Sequence, residues 1–214
     1  AVAADSKFHS VQDIVAAAKA KPGQLSYGSA GVGSVEHLAG ELFKQLAGIN
    51  VLHVPYKGTG PAINDTMSGQ VQFLFGGSAS LLQLNRPGQL RALAVTSAER
   101  APDVDVPTMQ EGGVKGYDVI TWNGLMAPKG TPADVVATLN AAVNVAAKAL
   151  TAKFAAIGCY PKAMSPAQFG TMVHAQVALW APLVAQAQLH VDGSRAGWSR
   201  RGRNDRGVSR ARNV

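Results

Sequence analysis

The chain reads as an α/β protein with one complete lobe on a parallel sheet and half of a second lobe after it. Two observations predict this. Short β-branched runs alternate with helical patterns through the first half, as in successive βαβ units. Beyond about residue 118 the helical patterns continue with a single candidate strand, too little for a sheet of its own.

The elements follow in order. Residues 10–20 predict a helix with Ser10 as N-cap, an apolar stripe of Val11, Ile14, Val15 and Ala18, and a stop at Pro22-Gly23. Residues 25–28 form a short strand that runs into Ser29-Ala30-Gly31-Val32-Gly33-Ser34. The next helix has the clearest periodicity in the sequence. Val35, Leu38, Ala39, Leu42, Phe43 and Leu46 recur at helical spacing, with Ser34 placed to cap it and Gly48 to end it. Residues 51–56 are a second strand, with Pro55 at its end, where a missing N–H costs little. Lys57-Gly58-Thr59-Gly60 then turns the chain into a helix opening at Pro61 and closed by Gly69. A third strand, 71–75, leads to Gly76-Gly77-Ser78, and a short helix over 80–84 precedes a fourth strand at 91–96.

After a loop rich in Asp and Pro, residues 119–127 read as a strand containing Trp122, a residue suited to walling a cleft or packing strands between lobes. Two helices follow, opening at Thr131-Pro132 and at Ser165-Pro166, the latter with Gln168 in the capping-box position. The expected organisation is 1–9 as the remnant of a strand between lobes, 10–118 as the complete lobe, 119–189 as half of the other, and 190–214 as a tail.

Composition agrees with a packed domain, since 47% of the 214 residues are hydrophobic and only 15% are charged. No run of 18 apolar residues occurs, and Ala1-Val2-Ala3-Ala4-Asp5 lacks the basic start and apolar stretch of a signal peptide. The single cysteine, Cys159, excludes an internal disulfide and a cysteine metal site, and is expected to be an inert buried thiol. The net charge of +7 is unevenly placed. Residues 1–189 carry 13 Lys/Arg against 11 Asp/Glu, whereas 190–214 carry seven Arg and two Asp. The tail is read as a disordered, non-native extension, with a basic nucleic-acid or anionic-lipid arm as the alternative.

The best candidate site is Ser29-Ala30-Gly31-Val32-Gly33-Ser34. A strand ends there, small residues let a ligand approach the backbone, and a helix begins with free N–H groups and the positive end of its dipole. Ser29 and Ser34 add hydroxyl donors, although the same segment would also serve as an ordinary tight turn with Ser34 as its cap. The position beyond the carboxyl end of a parallel strand is where open α/β sheets take ligands. His37 falls in the first turn of the helix, off its apolar stripe and beside Glu41 and Lys44, either as a carboxylate donor or as a solvated or Glu41-paired residue. Tyr56 and Lys57 end the second strand on the same edge, and Ser78 lies beyond the third. His53 reads as a satisfied, half-buried strand residue.

Other chemistries are poorly matched. Glu36 stands where a dinucleotide fingerprint needs its third glycine, no Walker sequence occurs, and Tyr27 replaces the first glycine of a nucleophile elbow around Ser29. The histidines His9, His37, His53, His174 and His190 share no metal-ligand spacing.

Several segments together resemble the Bug-type (TctC-like) periplasmic receptors of tripartite tricarboxylate transporters. They are 21–34, then His37-Leu38-Ala39-Gly40-Glu41-Leu42-Phe43, His53-Val54-Pro55-Tyr56-Lys57-Gly58, Gly69-Gln70-Val71, 90–96 and 124–132. The likeness covers about residues 8–188. It implies a non-catalytic, periplasmic-binding-protein-like α/β fold whose two lobes close on a small carboxylate and deliver it to membrane transporter subunits. It further implies that an opening segment with a second clamp loop is missing here, so that the chain is N-terminally truncated. Gly76-Gly77 stands where many relatives carry a polar or acidic residue. The expectation is a periplasmic solute receptor with no cofactor, no metal and no nucleic-acid partner, monomeric when intact. The alternatives are an α/β transferase or hydrolase using Ser29, His37 and Lys57, or a basic-tailed nucleic-acid-binding module.

Overall fold

The computed structural model describes residues 1–85, 88–102 and 104–186. The Arg-rich segment 190–214 lies outside the described residues. In chain order the elements are β1 (Val2–Ala3), α1 (Val11–Ala20), β2 (Ser26–Ser29), α2 (Val35–Ala47), β3 (Leu52–Pro55), α3 (Thr59–Met67), β4 (Phe73–Leu74), α4 (Ser78–Asn85), β5 (Leu90–Arg91), α5 (Ala133–Ala149), α6 (Thr151–Ala155) and α7 (Pro166–Gln186).

Local chemistry sets the helix starts. At α1 the Ser10 hydroxyl accepts the Asp13 N–H at 3.1 Å while the Asp13 carboxylate accepts the Ser10 N–H at 2.9 Å, a reciprocal cap. Ser34 caps α2 by accepting the His37 N–H at 3.2 Å, and Gly48 ends it in the left-handed conformation. Ser165 and Gln168 form the same reciprocal pair at α7. The helix expected at Pro61 begins two residues earlier, at Thr59. Pro61 still sits in its first turn, where its missing N–H breaks no helical bond.

The three-stranded sheet has the order β3-β2-β4, with β2 parallel to both neighbours and Tyr27 opposite His53 on one side and Phe73 on the other. Helix α2 carries the chain from β2 outward to β3, and α3 carries it back across β2 to β4. These crossovers run in opposite directions, so right-handed connections place α2 and α3 on opposite faces. The side chains agree. Phe73 packs in one core with Phe43 of α2, while the next residue, Leu74, packs in a second core with Ile63 of α3. The first core also holds α1 through Val11, Ile14 and Val15, and an aromatic group of Tyr27, Phe43, Phe73, Phe75 and Tyr117.

Three expectations are corrected. Residues 91–96 do not add a fourth parallel strand; only Leu90–Arg91 is extended in a sheet, and it pairs antiparallel with Val2–Ala3. The Arg91 guanidinium explains the choice, because it donates to the carbonyls of Ser6 and Phe8 and pins this segment to the start of the chain. Residues 119–127 form no strand. Val119 donates to the Thr96 carbonyl at 2.8 Å, but no strand among the described residues lies beside 120–127, and Leu125 and Met126 are exposed. Cys159 is half-buried rather than buried.

The C-terminal helices are held sparsely. Helix α7 packs against α2 through Leu183 and Trp180. Helix α5 buries none of its residues, and its apolar stripe of Val135, Leu139 and Val143 stays exposed.

Candidate functional site

Strand order decides where a ligand can sit. The loop after β2 leads to α2 on one face of the sheet. The loop after β4 leads to α4, whose Leu81 and Leu84 pack in the second core on the other face. The two loops diverge from adjacent strands, which makes the carboxyl edge between β2 and β4 a topological switch point, where open α/β sheets take ligands.

The Ser29–Ser34 loop is tightly built. Gly31 (φ 139°) and Gly33 (φ 79°) occupy backbone conformations that favour glycine, and a Cβ on Gly31 would lie 3.1 Å from the Tyr56 carbonyl oxygen. The Tyr56 N–H donates to the Ser29 carbonyl at 3.1 Å and the Gly58 N–H to the Ala30 carbonyl at 3.0 Å. The parallel ladder thus continues beyond the strands and joins Ser29 and Ala30 to Tyr56 and Gly58. The Ser34 N–H donates back to the Gly31 carbonyl at 3.2 Å. Among the described residues, the amides of Ala30, Val32, Val35 and Glu36 have no protein acceptor. They are the uncommitted donors of the loop and the first helical turn.

Two expected ligand donors lie beneath this surface. Ser29 is fully buried and His37 is only 4% exposed. His37 is therefore not on the solvated side of α2; its ring stacks on His53 with centroids 3.7 Å apart and planes within 9°. Its Nδ1 accepts the Gly33 N–H at 3.1 Å, and its Nε2 lies 3.8 Å from Glu41. Glu41 is held in turn by Lys44 at 2.9 Å and by the Tyr27 hydroxyl, which donates to it at 3.0 Å.

The Ser29 Oγ meets His53 Nε2 at 2.7 Å, accepts the Gly31 N–H at 3.1 Å and lies 3.2 Å from the Gly31 carbonyl. A hydroxyl has one proton. All three contacts are satisfied together only when His53 donates through Nε2–H and Ser29 donates to the Gly31 carbonyl. Burial pushes His53 down to about 4, with the adjacent His37 adding to the effect. Burial also lowers His37, against an opposing pull from Glu41.

The remaining candidates lie outside this cluster. Lys57 is exposed beside the loop. Tyr56 donates to Asp65 at 2.7 Å, and burial together with that carboxylate pushes its phenol up to about 12. Ser78 opens α4 and donates to the Gly158 carbonyl at 3.0 Å, which ties it to the C-terminal segment rather than to the glycine loop. Trp122 packs edge-on against Phe169.

The Ser29–His53 distance suits a nucleophile and its base, but the hydroxyl is fully buried and its proton is committed to the backbone. The Ser29, His37 and Lys57 set weighed from sequence is not assembled. Among the described residues no group of three or more His, Cys, Asp or Glu could hold a metal ion, and no helix is long and apolar enough to cross a membrane. The sequence reading missed the roles of His53, Tyr27 and Glu41. Register across β2 and β3 brings the first two together, and no local pattern announces it.

Residues 1–189 match the family described as Tripartite tricarboxylate transporter family receptor. The chain belongs to this family. A relative from Pseudomonas sp. (strain P51), the UPF0065 protein in the tcbD-tcbE intergenic region, is 36% identical over 195 residues, covering 89% of this chain and 58% of that protein. Protein BugT of Bordetella pertussis is 35% identical over 183 residues, covering 84% of this chain and 56% of its own length. The chain therefore spans a little over half the length of these relatives. Among solved structures, an R. palustris protein determined with adipate aligns with a TM-score of 0.77 at 34% identity, over 88% of this chain and 64% of that one. The periplasmic binding protein BugD aligns with a TM-score of 0.72 at 32% identity, over the same shares of the two chains. MatC from Rhodopseudomonas palustris with bound malate aligns with a TM-score of 0.73 at 29% identity, over 86% of this chain and 64% of its own. The fold is thus the α/β fold of periplasmic-binding-protein-like receptors, and the family and its structural neighbours are solute-binding receptors rather than enzymes.

Proposed function

We propose that this chain forms the ligand-holding lobe of a periplasmic receptor that captures a small carboxylate and presents it to the membrane subunits of a tripartite tricarboxylate-type transporter. The ligand class spans di- and tricarboxylates, acidic amino acids and similar anions. The observation that carries the reading is the row of uncommitted amides at Val32, Val35 and Glu36, set at the start of α2 and at the carboxyl edge of the central strand. Adipate and malate in two structural neighbours support the choice of anion.

In this reading Ala30, Gly31, Gly33 and Ser34 shape the donor surface, and the exposed Lys57 supplies positive charge beside it. Ser29 and His37 hold the loop from below, Tyr56 braces it through its backbone, and Ser78 follows β4 on the other side of the switch point. Glu36 places one carboxylate on the same helical turn. That favours ligands whose second charged group lies away from α2.

The test is an amide NMR titration of the chain with malate and with its uncharged diamide. Malate is expected to shift the Val32, Val35 and Glu36 amides in a saturable way, while the diamide leaves them in place. Equal response to both compounds, or none at these amides, would remove the loop from the site. Each charge-assisted bond contributes about 1.5–3 kcal/mol, so Lys57→Ala or loss of one amide donor weakens binding by roughly tenfold or more.

A further inference from the structure

We propose that His37 and His53 are positioning residues for the carboxylate loop, a stacked pair of neutral imidazoles that fixes Gly31 and Gly33, so that ligand capture fails in acid once His37 takes a proton. The proposal rests on the carboxylate reading of the loop for its functional consequence, but its structural part stands on the loop alone.

The two glycines of the loop are each held by one ring of the pair. Gly33 donates its N–H to His37 Nδ1, and Gly31 is held through the Ser29 hydroxyl, which sits on His53 Nε2. The glycines lack side chains and adopt left-handed or extended positive-φ conformations, so nothing on their own residues fixes them. Their geometry is imposed from beneath. The imidazoles in turn are clamped by parallel stacking at 3.7 Å and by Tyr27, whose ring centroid lies 5.0 Å from that of His53.

Protonation acts unequally on the two rings. His53 uses Nε2–H toward Ser29, so a second proton on its other nitrogen leaves that bond in place. His37 accepts through Nδ1, and a proton there removes the only acceptor the Gly33 N–H has among the described residues. Two N–H groups would then point at each other, and the loop has to turn. The charged and titratable groups facing the pair are Glu41 and Lys44 on α2 and Tyr27 on β2. Glu41 favours a proton on His37, but its carboxylate is already shared by Lys44 and Tyr27, while stacking opposes charge on both rings at once.

The experiment follows the Gly31 and Gly33 amides by NMR in the ligand-free chain between pH 7.5 and 4, in the unaltered protein and in His37→Asn, His37→Leu and His53→Gln. Asparagine offers an oxygen near the place of Nδ1 that does not titrate, and glutamine offers an N–H near the place of Nε2. In the unaltered protein the Gly33 amide is expected to move when His37 takes its proton, at a pH below the ordinary histidine value of about 6.5, and the turned loop carries Gly31 with it. In His37→Asn they are expected to stay near their neutral positions, and in His37→Leu they are displaced at every pH. His53→Gln should keep the Gly31 signal and lose the contribution of the stack.

Malate binding is then measured on the same proteins at each pH. The expected result is roughly tenfold weaker binding in His37→Leu at pH 7.5, with rescue by His37→Asn and a flatter pH profile than the unaltered chain. Comparing variants at one pH cancels the ligand's own titration. Gly31 and Gly33 amides that ignore both pH and His37→Leu would overturn the proposal, as would a His37→Asn profile identical to that of the unaltered protein. Absence of malate binding in every protein would overturn the carboxylate reading, and the ligand-free signals would still decide whether the histidines position the loop.

Discussion

At the scale of single residues, the stacked histidines make stability depend on pH. Both rings are held below the ordinary histidine value near 6.5, His53 down to about 4. The folded chain therefore stays neutral at this pair while the unfolded chain takes up protons as pH falls from about 6.5. Stability from the pair is full above 6.5 and is lost on the way down toward 4. His53 is only half-buried, so solvent screening limits the loss to ~1–2 kcal/mol. Urea unfolding at pH 7.5 and pH 5 should show it, and His53→Gln should remove much of the difference; an equal slope in the variant would assign the loss elsewhere. Asp13 and Glu111 are held below the usual carboxylate range, Asp13 chiefly by the His9 N–H and Glu111 by Arg100. The sequence made the loop visible, because a strand end, two glycines and a helix cap are adjacent letters. It could not show that the Ser29 and His37 side chains turn inward, since that depends on the register of β2 against β3, and His53 is 24 residues from Ser29.

At the scale of elements, α2 shows packing overruling propensity. Gly40 lies mid-helix, where alanine would normally add ~1 kcal/mol. A Cβ at Gly40 would fall closer than 3.0 Å to two ring carbons and the hydroxyl oxygen of the fully buried Tyr27. The ring is fixed by Glu41, Phe73 and His53, so the strain has nowhere to go. Gly40→Ala is therefore expected to destabilise the chain by about 2 kcal/mol despite the better helix former, measured by the urea midpoint. A stabilised variant would show that Tyr27 can give way. The helices were legible because their stripes and caps are local, as at Ser10, Ser34 and Ser165. The stretch 119–127 was not, because β-branched and aromatic residues allow a strand but only a neighbouring strand can make one. The same limit applies to 91–96, where the Arg91 hydrogen bonds decide the pairing.

For the whole molecule, order should be graded along the chain. Strands β2 and β4 are buried beneath helices, whereas the edge strand β3 leaves Leu52 exposed, and α5 buries no residue and leaves Leu139 53% exposed. Hydrogen exchange is expected to be slowest in β2 and β4, faster in the edge strand β3 and much faster through α5, with α7 intermediate near Leu183, where it meets α2. Uniform protection would mean that α5 is covered in solution. The continuation of the ladder from Ser29 and Ala30 to Tyr56 and Gly58 has its own consequence for molecular recognition. The conformational entropy of those two loops is spent during folding, before any anion arrives. This edge is thus pre-organised, its encounter with ligand needs no gating step of its own, and any movement that encloses the guest must be made by whatever surface faces it.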